Sequence, residues 1–195
     1  MSFFSMEHSR AAYRADFAIY GVVVLGLAIF LGVAGPPTRS LALGLLIGLG
    51  LAGWTLMEYG LHRFVLHGME PFRSWHEEHH QRPTALICAP TLLSGTLIVL
   101  LVFAPAWLIS DLWLASALTL GVLAGYLAYA ITHHATHHWR ADSRWLKRLK
   151  FWHARHHHLQ VPGFYGVTSG FWDRVFGTVG VGKAQAVRPA SPRKA

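Results

Sequence analysis

The stretch Phe151–Gln160, FWHARHHHLQ, carries His153, His156 and His157 in a His-x-x-His-His pattern, with His158 alongside. The pattern stands once earlier, at His76, His79 and His80 in WHEEHH. Two looser pairs complete the set: His62 and His67 in HRFVLH, and His133 and His137 in THHATHH. Thirteen of the 14 histidines fall in these four groups. A helix turns about 100° per residue, so positions i, i+3 and i+4 share a face. Each triplet then presents three imidazoles together, and His133 with His137 does likewise. His62 and His67 are about 140° apart on an ideal helix. For both to reach one centre, the helix must end or bulge between them.

Outward from these groups the chain is apolar. Spans are expected at about 17–34, 41–60, 86–109 and 112–132, each near the roughly 20 residues that cross a hydrocarbon core. Gly35-Pro36-Pro37 and Ser110-Asp111 are short turns, so the spans pair as two helical hairpins. Hydrophobic residues make up 53% of the 195 and charged residues only 13%, against about 25% charged in a soluble domain. The net charge of +8 accompanies apolar runs and no basic-aromatic motif, which points to a membrane surface and away from nucleic acid. Of the 17 Lys and Arg, all but Arg39 fall on the side that carries both histidine blocks. Positive residues stay inside, so the histidine face and both termini are expected to be cytoplasmic, in a bacterial inner membrane. The expected fold is an all-α membrane protein: four transmembrane helices in two hairpins, with a cytoplasmic helical histidine-rich cap holding a dimetal site. Residues 1–182 form one domain in this reading, and 183–195 a disordered basic tail. A variant keeps two spans and makes the third and fourth runs a re-entrant hairpin.

The candidate ligands are His62, His67, His76, His79, His80, His133, His137, His153, His156 and His157. One ion cannot use ten, whereas two could take four or five each. Neutral imidazole suits iron, copper, nickel and zinc. Cys88 is the single cysteine, which argues against a structural zinc site.

HRFVLH, WHEEHH, HHATHH and WHARHHH together resemble the histidine boxes of the integral-membrane fatty acid hydroxylase and sterol desaturase superfamily. Gly163–Thr178, GFYGVTSGFWDRVFGT, and Glu58–His67, EYGLHRFVLH, are most similar to its fatty acid 2-hydroxylase branch. The resemblance implies a non-haem di-iron oxygenase with the ten histidines as ligands; zinc is an alternative occupant as purified. It implies hydroxylation of a membrane lipid, a fatty acid or fatty-acyl lipid, with dioxygen. No haem-binding His-Pro-Gly-Gly is fused at the amino terminus, so electrons are expected from a separate electron-transfer protein. Carotenoid or sterol-type hydroxylation and desaturation are the alternatives within this chemistry. A membrane metal carrier or sensor and a zinc hydrolase are the alternatives outside it.

Other residues carry narrower expectations. Glu58, an acid at membrane depth four residues before His62, is placed to accept a ligand imidazole N–H. Asp173 either does similar work or pairs with Arg174. His134, His138 and His158 sit beside ligand positions but off their shared faces. Thr168-Ser169 reads as the cap of a short helix ending at Gly177, with Trp172 roofing the site or lying at the bilayer interface. Trp54, Trp75, Trp145 and Trp152 read as an aromatic belt. Arg144, Lys147, Arg148 and Lys150 form a basic stripe for lipid headgroups or an acidic electron donor.

Overall fold

The computed structural model describes residues 6–159 and 162–179; the expected tail at 183–195 lies outside them. Helix α1 (Arg10–Ala34) starts at Ser9, whose hydroxyl accepts from the Ala12 amide at 3.2 Å. A 3₁₀ turn at Pro37–Arg39 leads into α2 (Ser40–Gly60), which continues without a break into a π-helical turn at Leu61–Leu66. Next come α3 (Phe72–Gln81), α4 (Thr91–Ile98), a second π turn at Val99–Phe103 and α5 (Ala104–Ile109). Pro90 precedes α4, and Pro105, with no amide to donate, follows directly on the second π turn. Helices α6 (Leu112–His138), α7 (Arg144–His158) and the short α8 (Phe171–Val175) complete the described chain.

Among the described residues, four helical stretches are long and apolar enough to cross a membrane: Arg10–Ala34, Pro37–Leu66, Thr91–Ile109 and Leu112–His138. Three of them run past the expected limits toward the histidines, because polar residues continue the helices beyond the apolar runs. Outward-facing Val22, Leu25, Ile29 and Val33 on α1, and Leu101, Leu108 and Ile109 on the third span, are exposed. Such a contiguous apolar surface suits lipid and not water. At the end away from the histidines, Asp111 accepts from the Trp113 and Leu114 amides at 2.9 and 3.0 Å, capping α6. The same carboxylate pairs with Arg39, so one acid ties the two hairpin turns together.

The central helix is α6. Leu31, Leu43, Ala117 and Leu120 pack at one end of it, and Tyr20, Trp54, Ile98, Val122, Leu123 and Tyr126 nearer the histidines. Trp54 is therefore a core residue and not part of an interfacial belt: it lies against Gly125, with its ring 5.2 Å from that of Tyr126. Between apolar helices in lipid, close backbone contact replaces the hydrophobic effect as the source of adhesion. Gly50 and Gly121 provide it. A Cβ on Gly121 would stand 2.1 Å from the Ile47 carbonyl oxygen, and one on Gly50 would stand 2.3 Å from that of Leu118. Gly121→Leu is expected to lower the thermal midpoint of the detergent-solubilised protein, at an overpacking cost of about 1–3 kcal/mol. Gly44→Ala, which meets nothing within 4 Å, should leave it unchanged.

Candidate metal centre

The four histidine segments meet at one end of the bundle in two groups. His62, His67, His76, His80 and His156 form one; His79, His133, His137, His153 and His157 form the other. Within each group one ring nitrogen per residue lies within 4.8 Å of all the rest. The two triplets do not each serve a single group. His76 and His80 join one group while His79, between them, joins the other; His153 and His157 join one while His156 joins the other. Helical geometry explains the split: relative to position i, i+4 lies about 40° to one side and i+3 about 60° to the other. His62 and His67 reach a common group because the π turn at Leu61–Leu66 lies between them. Their ring centroids are 5.2 Å apart. Single π turns inside helices recur at functional sites.

The outer nitrogens of two of these rings are held by backbone. His62 Nδ1 donates to the Tyr165 carbonyl at 2.6 Å, and His156 Nδ1 to the Gly163 carbonyl at 2.9 Å. Two buried acids hold the segment that carries those carbonyls. Asp173 accepts from the Tyr165 and Gly166 amides, each at 2.8 Å, and from the Thr178 hydroxyl at 2.8 Å. Glu58 accepts from the Val167 and Thr168 amides at 2.6 and 2.8 Å and from the Thr168 hydroxyl at 2.6 Å. Glu58 thus bonds no imidazole directly, as the sequence had suggested it would; it holds the loop whose carbonyls do. Asp173 makes no ion pair with Arg174 among the described residues. Phe164 takes a left-handed φ of 59°, which costs a non-glycine residue about 1–2 kcal/mol. Its ring, stacked on Trp152 at 5.2 Å with the Arg155 guanidinium at 5.2 Å, holds it there. Gly166 admits no side chain, since a Cβ would lie 2.0 Å from the Ser169 carbonyl oxygen.

The donor set fits cations and is poorly satisfied without them. Inside the first group, Nε2–Nε2 separations are 3.0 Å for His62–His76 and 3.1 Å for each of His76–His80, His80–His156 and His67–His156. With Nδ1 protonated on His62 and His156, their Nε2 atoms are bare lone pairs. His76 and His80 must then both carry Nε2 protons, and those protons oppose each other. No arrangement of single protons satisfies every contact. In the second group His137–His153 and His153–His157 stand at 2.7 and 3.1 Å. His79 has both ring nitrogens buried without a hydrogen-bond partner. Two nitrogens bound to one ion at about 2.1 Å and a right angle apart would be about 3 Å from each other, as they are here.

Burial, reinforced by neighbouring imidazoles, lowers the proton affinity of these rings. It brings His79 down to about 3 and His80 to about 4, and holds His76, His153 and His157 below the ordinary histidine range. The rings are neutral near pH 7, as metal ligands must be. Unfolded histidines take up protons below about pH 6.5 while the folded ones do not, so the unfolded state gains protons as pH falls. The thermal midpoint of chelator-treated protein should therefore fall steadily from pH 7 to pH 5; an unchanged midpoint would contradict this. Asp173→Ala, which removes no imidazole, should weaken metal affinity about 10–100-fold in competition with a chromogenic chelator.

The remaining sequence candidates lie around the centre. His134 and His138 stack at 4.5 Å outside both groups, with His134 Nδ1 sharing a 3.2 Å hydrogen bond with the Tyr13 hydroxyl. His158 is exposed. Trp172 donates from Nε1 to the Thr55 hydroxyl at 2.9 Å, docking α8 on α2 and not over the histidines. The cap of α8 is Gly170 with no side-chain bond, because Thr168 is engaged by Glu58. A narrow cavity of about 140 Å³ reaches His76, His79 and His133 between Tyr13, Phe17, Leu93 and Tyr126. Asp16, also on its wall, is buried and accepts from the Thr91 hydroxyl at 2.5 Å. Sequence reading passed over Asp16 and Tyr13; isolated polar residues in the first turns of a span were their only signal.

Comparison with known proteins places these features in a family. Residues 47–178 match the family model described as fatty acid hydroxylase. The dihydroceramide fatty acyl 2-hydroxylase FAH2 of Arabidopsis thaliana is 36% identical over 159 residues, 74% of this chain and 64% of that protein. The ceramide very long chain fatty acid hydroxylase scs7 of Schizosaccharomyces pombe is 35% identical over 151 residues, 68% of this chain and 41% of that protein. The chain thus spans between about two fifths and two thirds of the length of these relatives. A solved structure of full-length scs7p, with only the hydroxylase domain visible, superposes with a TM-score of 0.72 at 29% identity, over 86% of this chain and 66% of that one. The chain belongs to the fatty acid hydroxylase family.

Proposed function

We propose that this protein is a membrane-bound non-haem di-iron oxygenase that hydroxylates a C–H bond of a fatty acid or fatty-acyl lipid. The observation that carries this reading is the pair of interleaved five-histidine groups at the end of an apolar cavity. In it, His62, His67, His76, His80 and His156 hold one ion, and His79, His133, His137, His153 and His157 the other. Two iron ions held there would supply dioxygen activation, a redox task that zinc cannot perform. The overall change consumes one dioxygen, two electrons and two protons per lipid, and yields the hydroxylated lipid and one water.

The chain's own residues do the rest. The Tyr165 and Gly163 carbonyls fix His62 and His156 in the tautomer with Nε2 free. Glu58 and Asp173 hold those carbonyls in place. Tyr13, Phe17, Leu93 and Tyr126 keep water from the reacting carbon and orient the acyl chain. The lysine and arginine distribution supports a cytoplasmic site, with a bacterial inner membrane as the proposed setting. Arg144, Lys147 and Arg148, exposed along α7, suit an acidic electron-transfer protein.

The purified protein is expected to carry about two iron ions per chain. Cells expressing it under oxygen should gain lipids heavier by one oxygen atom, measured by mass spectrometry, and His153→Ala should abolish the gain. Lipids unchanged by expression with a competent reductant present would refute the oxygenase. A reproducible content of one ion or none would refute the paired site.

A further inference from the structure

Outside both histidine groups, a second cavity of about 440 Å³ opens between the first turns of α1 and the carboxyl end of α6. Arg10, Tyr13, Arg14, Phe17, His134 and Trp139 are among its walls. Arg10 and Arg14 are one helical turn apart and so share a face of α1. Neither takes part in an ion pair among the described residues, whereas Arg82 is bridged to both Glu7 and Glu78, at 2.7 and 3.0 Å. Arg10 opens a 25-residue helix with no acidic residue in its first turn, Arg14 stands one turn further on, and both are exposed. The helix dipole is positive there, and acids, not bases, would stabilise α1 at that end. Two uncompensated cations at a positive helix end are an arrangement that a bound anion completes.

The cavity adjoins the one beside the histidines. Tyr13 and Phe17 line both it and the narrow cavity that ends at His76, His79 and His133. Tyr13 is buried, and its hydroxyl is fixed by His134, which is stacked on His138. An amphiphile with its charged end at the arginines would have to displace or pass Tyr13 and Phe17, the two rings that both cavities share, for its hydrocarbon to reach the histidines. The family match starts at residue 47, after α1; some relatives are named for ceramide, a neutral amide, and others for fatty acid.

We propose that Arg10 and Arg14 bind the anionic headgroup, a carboxylate or a phosphate, of the lipid this protein oxidises, and so select acidic lipids over neutral amides. This rests on the lipid-oxygenase reading above. The test is equilibrium binding of palmitate, hexadecyl phosphate and hexadecanamide to the purified full-length protein in uncharged detergent. Both anions should bind at least about tenfold more tightly than the amide, the scale of hydrogen bonds to a charged group. Arg10→Gln/Arg14→Gln should abolish that preference while leaving amide binding and metal content unchanged; Arg10→Lys/Arg14→Lys should restore part of it. A carboxylate preference over phosphate assigns the site to free fatty acids, and the reverse to phospholipids. Equal binding of all three by the unaltered protein overturns the proposal, as does an undiminished anion preference in the glutamine variant. An intact, arginine-dependent preference without iron or oxidised lipid would instead sink the oxygenase reading alone.

Discussion

Ten imidazoles are gathered so closely that no arrangement of single protons satisfies every contact among them. That constraint governs the structure. In a buried setting, facing lone pairs repel and facing N–H groups repel, and water is not there to separate them. Ring nitrogens held 2.7–3.1 Å apart bond one another only where an N–H faces a bare lone pair, and a cation would relieve the contacts that this alternation leaves unmet. Several unusual local features of the fold keep those rings in place. The π turn swings His62 and His67 into one group. The left-handed Phe164 lies between the two carbonyls, of Gly163 and Tyr165, that meet two outer ring nitrogens. Glu58 and Asp173 accept hydrogen bonds from backbone amides, and those amides position the carbonyls.

The scaffold needs rigidity more than it needs a large core. Helix α6 supplies it, because Gly50 and Gly121 let its backbone touch that of α2 and Gly125 takes the Trp54 ring. The same two helices then deliver His62, His133 and His137, so the glycine contacts in mid-bundle set the separation of histidines at its end. Asp111 and Arg39 close the opposite end. The chain between these points is apolar and faces outward, and it contributes length and orientation.

Much of this was legible in the sequence. Apolar runs of span length and their short turns dictate two hairpins. Positive charge on one side places all the histidines together, and their spacing in threes and fours brings them to common faces. The limits of that legibility are equally physical. A helical wheel treats i, i+3 and i+4 as one face, yet the roughly 100° between i+3 and i+4 is enough to send His79 and His156 to different groups from their neighbours. HRFVLH requires a break or a bulge between its histidines, but no residue in it selects a π turn over a helix end. The carbonyls of Gly163 and Tyr165 are invisible to any reading of side chains. Glu58, expected to meet a ligand imidazole, is buried with a different partner, because a loop 109 residues away competes for it better than the nearby ring. Trp54 was read as interfacial because a large aromatic near the end of a span is as much at home in a belt as in a core.

The interleaving of the triplets has a mechanical consequence. Since α3 and α7 each contribute to both groups, neither group can shift without turning a helix that also holds the other. The gap between the two histidine groups is therefore ruled off in units of helical rise and not set by flexible loops, as the teeth of a gear fix the distance between notches. A bilayer that thickens, thins or tilts the spans can carry the whole assembly with it and leave that spacing unchanged.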